Sequence, residues 1–250
     1  MQTDDGNWSE YHGLLLKAEH RLASHFTWLT NYTWSHAIST YDFAGELAGN
    51  NYQNPQDRNA EKGDANYDRR HIFNTSLVIV SGGLGDGFMK KFTKDWQVAP
   101  LISLNTGQPL TVTTGADTSL TGIKADRPNV DPSVASQPHT LVQWFNPASF
   151  VGACTTAAYS ASSYCVPTGT FGNAARDILH GPGSIQFDMS ATRRFSFSER
   201  YKMELRGDFF NIMNHANWNG PAAGMTSSTF GQITSFSSPR LIQVSAKLFF

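Results

Sequence analysis

Seven stretches of the chain alternate apolar and polar residues with a period of two. Each runs for about ten residues, the signature of β-strands whose faces meet different surroundings. The clearest is 201–209. Tyr201, Met203, Leu205, Gly207 and Phe209 fall on one side, and Lys202, Glu204, Arg206 and Asp208 on the other. A helix would scatter those charges around its circumference, whereas a strand gathers them on one face. A helix through Leu205, Phe209 and Ile212 is the weaker alternative. In the last strand, Ile242, Val244, Ala246, Leu248 and Phe250 oppose Gln243, Ser245 and Lys247. Ile185, Phe187, Met189, Ala191 and Phe195 oppose Gln186, Asp188, Ser190, Thr192 and Arg194, with Arg193 breaking the apolar side. Phe26, Trp28, Tyr32 and Trp34 oppose Thr27, Asn31, Thr33 and Ser35. Fainter alternation runs near 10–22, 69–80 and 96–106.

The links between these strands are lopsided. Short ones at about 23–25, 81–95 and 196–200 alternate with long ones at about 38–68, 107–184 and 213–239. Short turns at one rim and long loops at the other suit an outer-membrane barrel. A soluble sandwich has shorter strands, about 5–6 residues, and more even loops. The expectation is an all-β fold: an antiparallel transmembrane β-barrel segment of about seven long strands, with short periplasmic turns and long extracellular loops. The strand at 201–212 should pair with the one ending at Phe250. Lys202, Glu204, Arg206 and Asp208 would face the lumen with Asp188 and Arg194 of the neighbouring strand. The same position facing lipid would cost about 2–4 kcal/mol for Lys or Arg at the midplane. Arg193 is therefore tolerable only near the membrane interface. Trp28, Trp34, Trp96, Tyr201, Phe209 and Phe250 lie near strand ends, as interfacial girdles require.

Seven is an awkward number, because bacterial single-chain barrels have even strand counts. If the last strand descends to the periplasm, counting back leaves residue 1 on the extracellular side. The expectation is a fragment of a larger barrel. Met1-Gln2-Thr3-Asp4-Asp5-Gly6 has neither a basic nor an apolar region of the kind a secretory signal needs.

Composition sharpens this picture in three places. Charged residues are 16% and aromatic ones 12%, with 21 Gly, a balance that favours β-structure over helix. No stretch approaches the roughly 20 apolar residues of a transmembrane helix, and the mean hydropathy is −0.35. An alternating membrane strand has unremarkable hydropathy, so that value leaves the barrel open. The net charge of −1 gives no reason to expect nucleic acid.

Candidate chemistry is sparse. Cys154 and Cys165 form a candidate local disulfide, worth about 3 kcal/mol in an oxidising compartment, with unpaired thiols as the alternative. The Gly-rich run from Val78 to Gly87 lacks the third glycine of a dinucleotide-binding turn, Phe88 standing in its place, and reads as a flexible periplasmic turn. Asp57, Asn59, Glu61 and Asp68 suggest calcium ligands, but Gly63 falls one place late, and a solvated polar loop is the default. His215 reads as a structural loop residue. No enzyme signature, cofactor motif or metal spacing is present.

Several ordered segments resemble a known family. QWFNPASF at 143–150, GTFGNAARDILHGPG at 169–183, FDMSATRRFSF, ELRGDFFNIMNHANW, FGQITSFSSPRLIQ and the terminal KLFF resemble the C-terminal third of Oar-like TonB-dependent receptors, of the type carrying a carboxypeptidase-regulatory-like domain. YDRRHIF at 67–73, NTGQPLTVTTGADTSLTG at 105–122 and DRPNV at 126–130 extend the likeness upstream. The resemblance implies a plugged barrel of about 22 strands in the Gram-negative outer membrane. It further implies import of a bulky substrate such as a siderophore, oligosaccharide or peptide. Its partners would be outer-membrane lipid, the rest of the barrel and plug, the TonB complex through that plug, and the outer-membrane assembly machinery, which reads Leu248 and Phe250 as a C-terminal signal. The chain shows no plug and no TonB box. Two other readings stay open. One is a soluble secreted β-sandwich that stacks Trp and Tyr on sugars; the other is a structural or adhesive barrel without transport.

Overall fold

Alternating strands adopt one extended sheet because each of their faces is dominated by one chemistry and adjacent strands can largely match like with like. A computed structural model describes residues 6–22, 25–41, 52–54, 56–83, 85–122, 124 and 126–250. Its seven long strands are β1 (Ser9–Leu22), β2 (Phe26–Ser39), β3 (His71–Gly82), β4 (Lys94–Asn105), β5 (Ser184–Ser196), β6 (Lys202–Phe210) and β7 (Leu241–Phe249). They pair in chain order, each antiparallel to the next, as an up-and-down meander. The strand at 201–212 pairs with the last one as its alternation predicts, Met203 opposite Leu248 and Asp208 opposite Gln243. Among the described residues, no helix is long and apolar enough to cross a membrane.

Register propagates a single division of faces across the sheet. Directly paired residues share a face, so Thr33 joins Leu15 and Ile72, Ser103 joins Asn74 and Gln186, and Thr192 joins Arg206 and then Ser245. This face carries Lys17, Glu19, Asp188, Arg194, Lys202, Glu204, Arg206, Asp208 and Lys247. The other carries Leu14, Leu16, Phe73, Leu77, Ile102, Leu104, Phe187, Met189, Ile242, Val244 and Leu248. The apolar face is uncovered, with Val244 76% exposed. A sandwich would bury that face beneath a second sheet; among the described residues the remaining ladders are two-residue pairings, one of Gly63–Asp64 on the end of β2 and two within the loops.

The packed core lies outside the long sheet. Segments from the connections after β4 and β6 fold together at one rim around Val112, Trp144, Phe145, Phe150, Leu179 and Ile233, and the connection after β2 joins them through Gln53 and Glu61. Phe145 makes edge contacts with Phe150 and Phe230, at centroid separations of 5.5 and 5.1 Å. Short ladders join Pro109–Leu110 to Leu179–His180 and Asn129–Val130 to Phe150–Val151. This cap presses on the polar face, where Ser35, Ala37 and Ser39 at the end of β2 are buried.

At the opposite rim the Gly-rich link departs from the flexible turn expected of it. It contains a helix, α1 (Gly87–Thr93), after Gly83 turns the chain at φ 91°. The Lys94 backbone N–H closes the helix on Lys90 O. A side chain at Gly83 would crowd Lys90 and Lys94, so the missing Cβ lets the helix fold back over the strand end.

Candidate functional site

The polar face and the cap that closes it at one rim hold most of the molecule's organised polar chemistry. On β5 and β6, Arg194 Nε donates to Glu204 Oε2 at 2.7 Å across the strands. Arg206 Nε reaches both oxygens of Asp208 at 2.9 Å along its own strand. Asp188 lies on the same face but does not pair with a cation of this ladder. Its Oδ1 accepts from Gln186 Nε2 at 2.5 Å and from the Asn211 backbone N–H at 2.8 Å. That second bond ties the cap to the strand. All six residues of the predicted ladder therefore share one face, four of them in two local charge pairs rather than one continuous network.

The cap is fastened by buried arginines. Arg127 pairs with Glu61 at 2.5 Å, both side chains almost wholly buried. Its backbone N–H donates to Gln53 Oε1 at 2.8 Å, and its Nε to Ala174 O at 2.8 Å. Glu61 accepts a further bond from the Gln53 N–H at 3.0 Å. Arg176 crosses from the cap to the sheet. It donates to Glu61 O at 2.7 Å, to the carbonyl and hydroxyl of Ser39, and pairs with Asp177 at 3.2 Å. Asp126 is buried as an acceptor for the Ser119 N–H at 2.7 Å and hydroxyl at 3.0 Å. Each carboxylate thus receives enough donors to offset the loss of water.

Cys154 and Cys165 are joined by a disulfide spanning 11 residues. The loop around Asp57, expected to be solvated, is instead partly packed into the cap. Asp57 caps a 3-10 turn, accepting from the Asn59 N–H at 3.1 Å. Glu61 and Asp68 are buried, Asp68 accepting from the Ala37 N–H at 2.7 Å. Their oxygens are committed to different partners, and no cluster among the described residues could hold a metal. His215 accepts structural duty: its N–H donates to Asn211 Oδ1 at 2.9 Å, and its ring contacts Asn217 at 3.2 Å. Leu248 lies on the apolar face opposite Met203, and Phe250 is exposed.

Between cap and strands lies a cavity of about 380 Å³, lined among others by Arg69, Gln108, Ser184, Asn217, Trp218 and Asn219. Arg69 donates to Thr106 O at 2.9 Å. Burial pushes its guanidinium below the ordinary value, though arginine remains a cation at any working pH. Sequence reasoning missed Arg69, Arg127, Arg176 and Glu61 as organisers. For the arginines the available signal was their position inside the conspicuous segments YDRRHIF, DRPNV and GNAARD, while Glu61 stood out only as a candidate calcium ligand.

A membrane-sized antiparallel meander with one polar and one apolar face defines an outer-membrane β-barrel protein. Residues 1–243 match the outer membrane beta barrel domain, and the chain belongs to that family, which places it in the outer membrane. No curated protein matches it.

Proposed function

We propose that the chain is the C-terminal barrel portion of an Oar-like TonB-dependent receptor that imports a bulky substrate: a siderophore, an oligosaccharide or a peptide. The observation that carries this reading is the gathering of strand charges on the face that the folded cap closes at one rim. That face is the lumen, where Lys202, Glu204, Arg206, Asp208, Asp188 and Arg194 meet water, the plug or the passing substrate. The apolar face meets lipid. The outer edges of β1 and β7 carry no strand partner among the described residues. Unpaired backbone groups are highly unfavourable in hydrocarbon, so further barrel strands pair with these edges in the whole receptor. Leu248 and Phe250 form the strand end engaged during outer-membrane assembly, and TonB acts through the plug. The succession of segments from QWFNPASF to KLFF supports the receptor type.

Uptake by cells tests this directly. Deleting the full-length gene and deleting TonB should each abolish accumulation of the same labelled siderophore, oligosaccharide or peptide. Unchanged accumulation of all three classes after deletion of the receptor gene would contradict transport and favour a structural or adhesive barrel.

A further inference from the structure

We infer that the short-turn rim carries a binding surface for anionic phospholipid headgroups, built from α1 and the residues that strap it to the apolar face. This rests on the reading of that face as lipid-facing. Trp96 on β4 and Arg193 on β5 are register partners on the apolar side. Trp96 Nε1 donates to Phe92 O at 3.0 Å, and Arg193 Nη2 donates to Lys91 O at 2.6 Å. Both bonds end on carbonyls in the last turn of α1, which is thereby fixed outside the sheet rather than beneath the polar face.

The helix extends the apolar surface beyond the strand ends. Phe88 and Phe92 stack at 6.4 Å. Phe88, Met89 and Phe92 are 79%, 57% and 56% exposed. In water, such a cluster at a turn would be a liability. At a membrane interface, it continues the surface below it. The guanidinium of Arg193 sits 5.6 Å from the Phe92 ring, 5.5 Å from Trp96 and 4.7 Å from Phe195. Its Nε is buried without a hydrogen-bond partner. Such a cation, sheathed in rings at the rim of a lipid-facing surface, is placed at headgroup depth.

Charge identifies the headgroup. Lys90, Lys91 and Lys94 are exposed, and Arg193 is held to the helix through the Lys91 carbonyl, giving four cations in and around α1 against two carboxylates, Asp86 and Asp95. Asp95 takes a left-handed φ of 65° at the irregularity between β3 and β4, and lines a cavity with the polar-face residues Gln97, Thr192 and Arg194. Basic residues beside an embedded apolar cluster favour anionic lipid through attraction to the phosphate-bearing surface. The short turns face the periplasm, so the occupant is an anionic phospholipid of the periplasmic leaflet.

The test uses the full-length protein in nanodiscs of phosphatidylcholine or of phosphatidylglycerol, with brominated acyl chains as quencher. An environment-sensitive fluorophore is placed at Met89→Cys, and in a separate control at Ile102→Cys on the apolar face of β4. Both positions should be quenched, position 89 several-fold more in phosphatidylglycerol. Combining Lys90→Gln, Lys91→Gln and Lys94→Gln should erase that lipid preference and leave position 102 unchanged. A quenched control with position 89 unquenched, or quenched equally in both lipids, overturns the headgroup surface alone. An unquenched control overturns the lipid-facing reading and the headgroup surface with it.

Discussion

Arg127 and Glu61 meet across 66 residues of chain, and both are nearly excluded from water. Removing one partner of such a pair leaves a buried charge without compensation, so Arg127→Ala should destabilise the cap by about 3–5 kcal/mol. Adding Glu61→Leu to Arg127→Met should recover much of that loss, since apolar replacements avoid the desolvation problem altogether. Thermal unfolding of the cap in the detergent-solubilised full-length protein, followed by protease sensitivity, measures both. Arg194 and Glu204 present the contrasting case. Arg194 is largely exposed and Glu204 partly so, and loss of their cross-strand pair should change stability by about 1 kcal/mol or less. Gly172 serves the same fastening as Arg127: a Cβ there would lie 2.0 Å from Arg127 O and 2.4 Å from Pro128 O. These arrangements were illegible in the sequence, because burial of Glu61 is decided by partners that only the folded cap brings near. Gln53, for example, donates to Gly172 O across 119 residues.

Strands could be read because each makes its own local statement. Alternation in β6 separates Lys202, Glu204, Arg206 and Asp208 from Met203, Leu205, Gly207 and Phe209 without help from any neighbour. Strand boundaries at 184–196, 202–210 and 241–249 fall within one residue of those expected. α1 was missed because seven residues between a glycine-rich bend and the start of β4 give little room for helical periodicity. Its only signals were Asp86 at the N-cap, Phe88 and Phe92 four apart, and lysines in the last turn. The same division of faces fixes the sign of a charge insertion. Val244→Arg should weaken membrane folding by about 2–4 kcal/mol, while Ser245→Arg, one residue on, should be nearly neutral. Folded yield in urea-titrated lipid vesicles compares the two. Breaking the Cys154–Cys165 link, which closes a loop of 11 residues, should cost the cap about 3 kcal/mol, read as a lower melting temperature under reducing conditions.

At the scale of the whole molecule, the apolar atoms are arranged in two opposite ways. Within the cap they are buried around Phe145 and Val112, as in a soluble domain. Across the sheet they lie uncovered on one face, while charges populate the other. One chain can stabilise both arrangements only if its two parts have different solvents, water around the cap and hydrocarbon around the sheet. Spin labels placed singly at 202–209 of the full-length protein in lipid bilayers test this central claim most directly. Collision rates with oxygen, which concentrates in lipid, and with a water-soluble nickel complex should alternate with a period of two. Oxygen should dominate at 203, 205, 207 and 209, and nickel at 202, 204, 206 and 208. Rates without that period, or with the two sets reversed, would contradict the assignment of the faces.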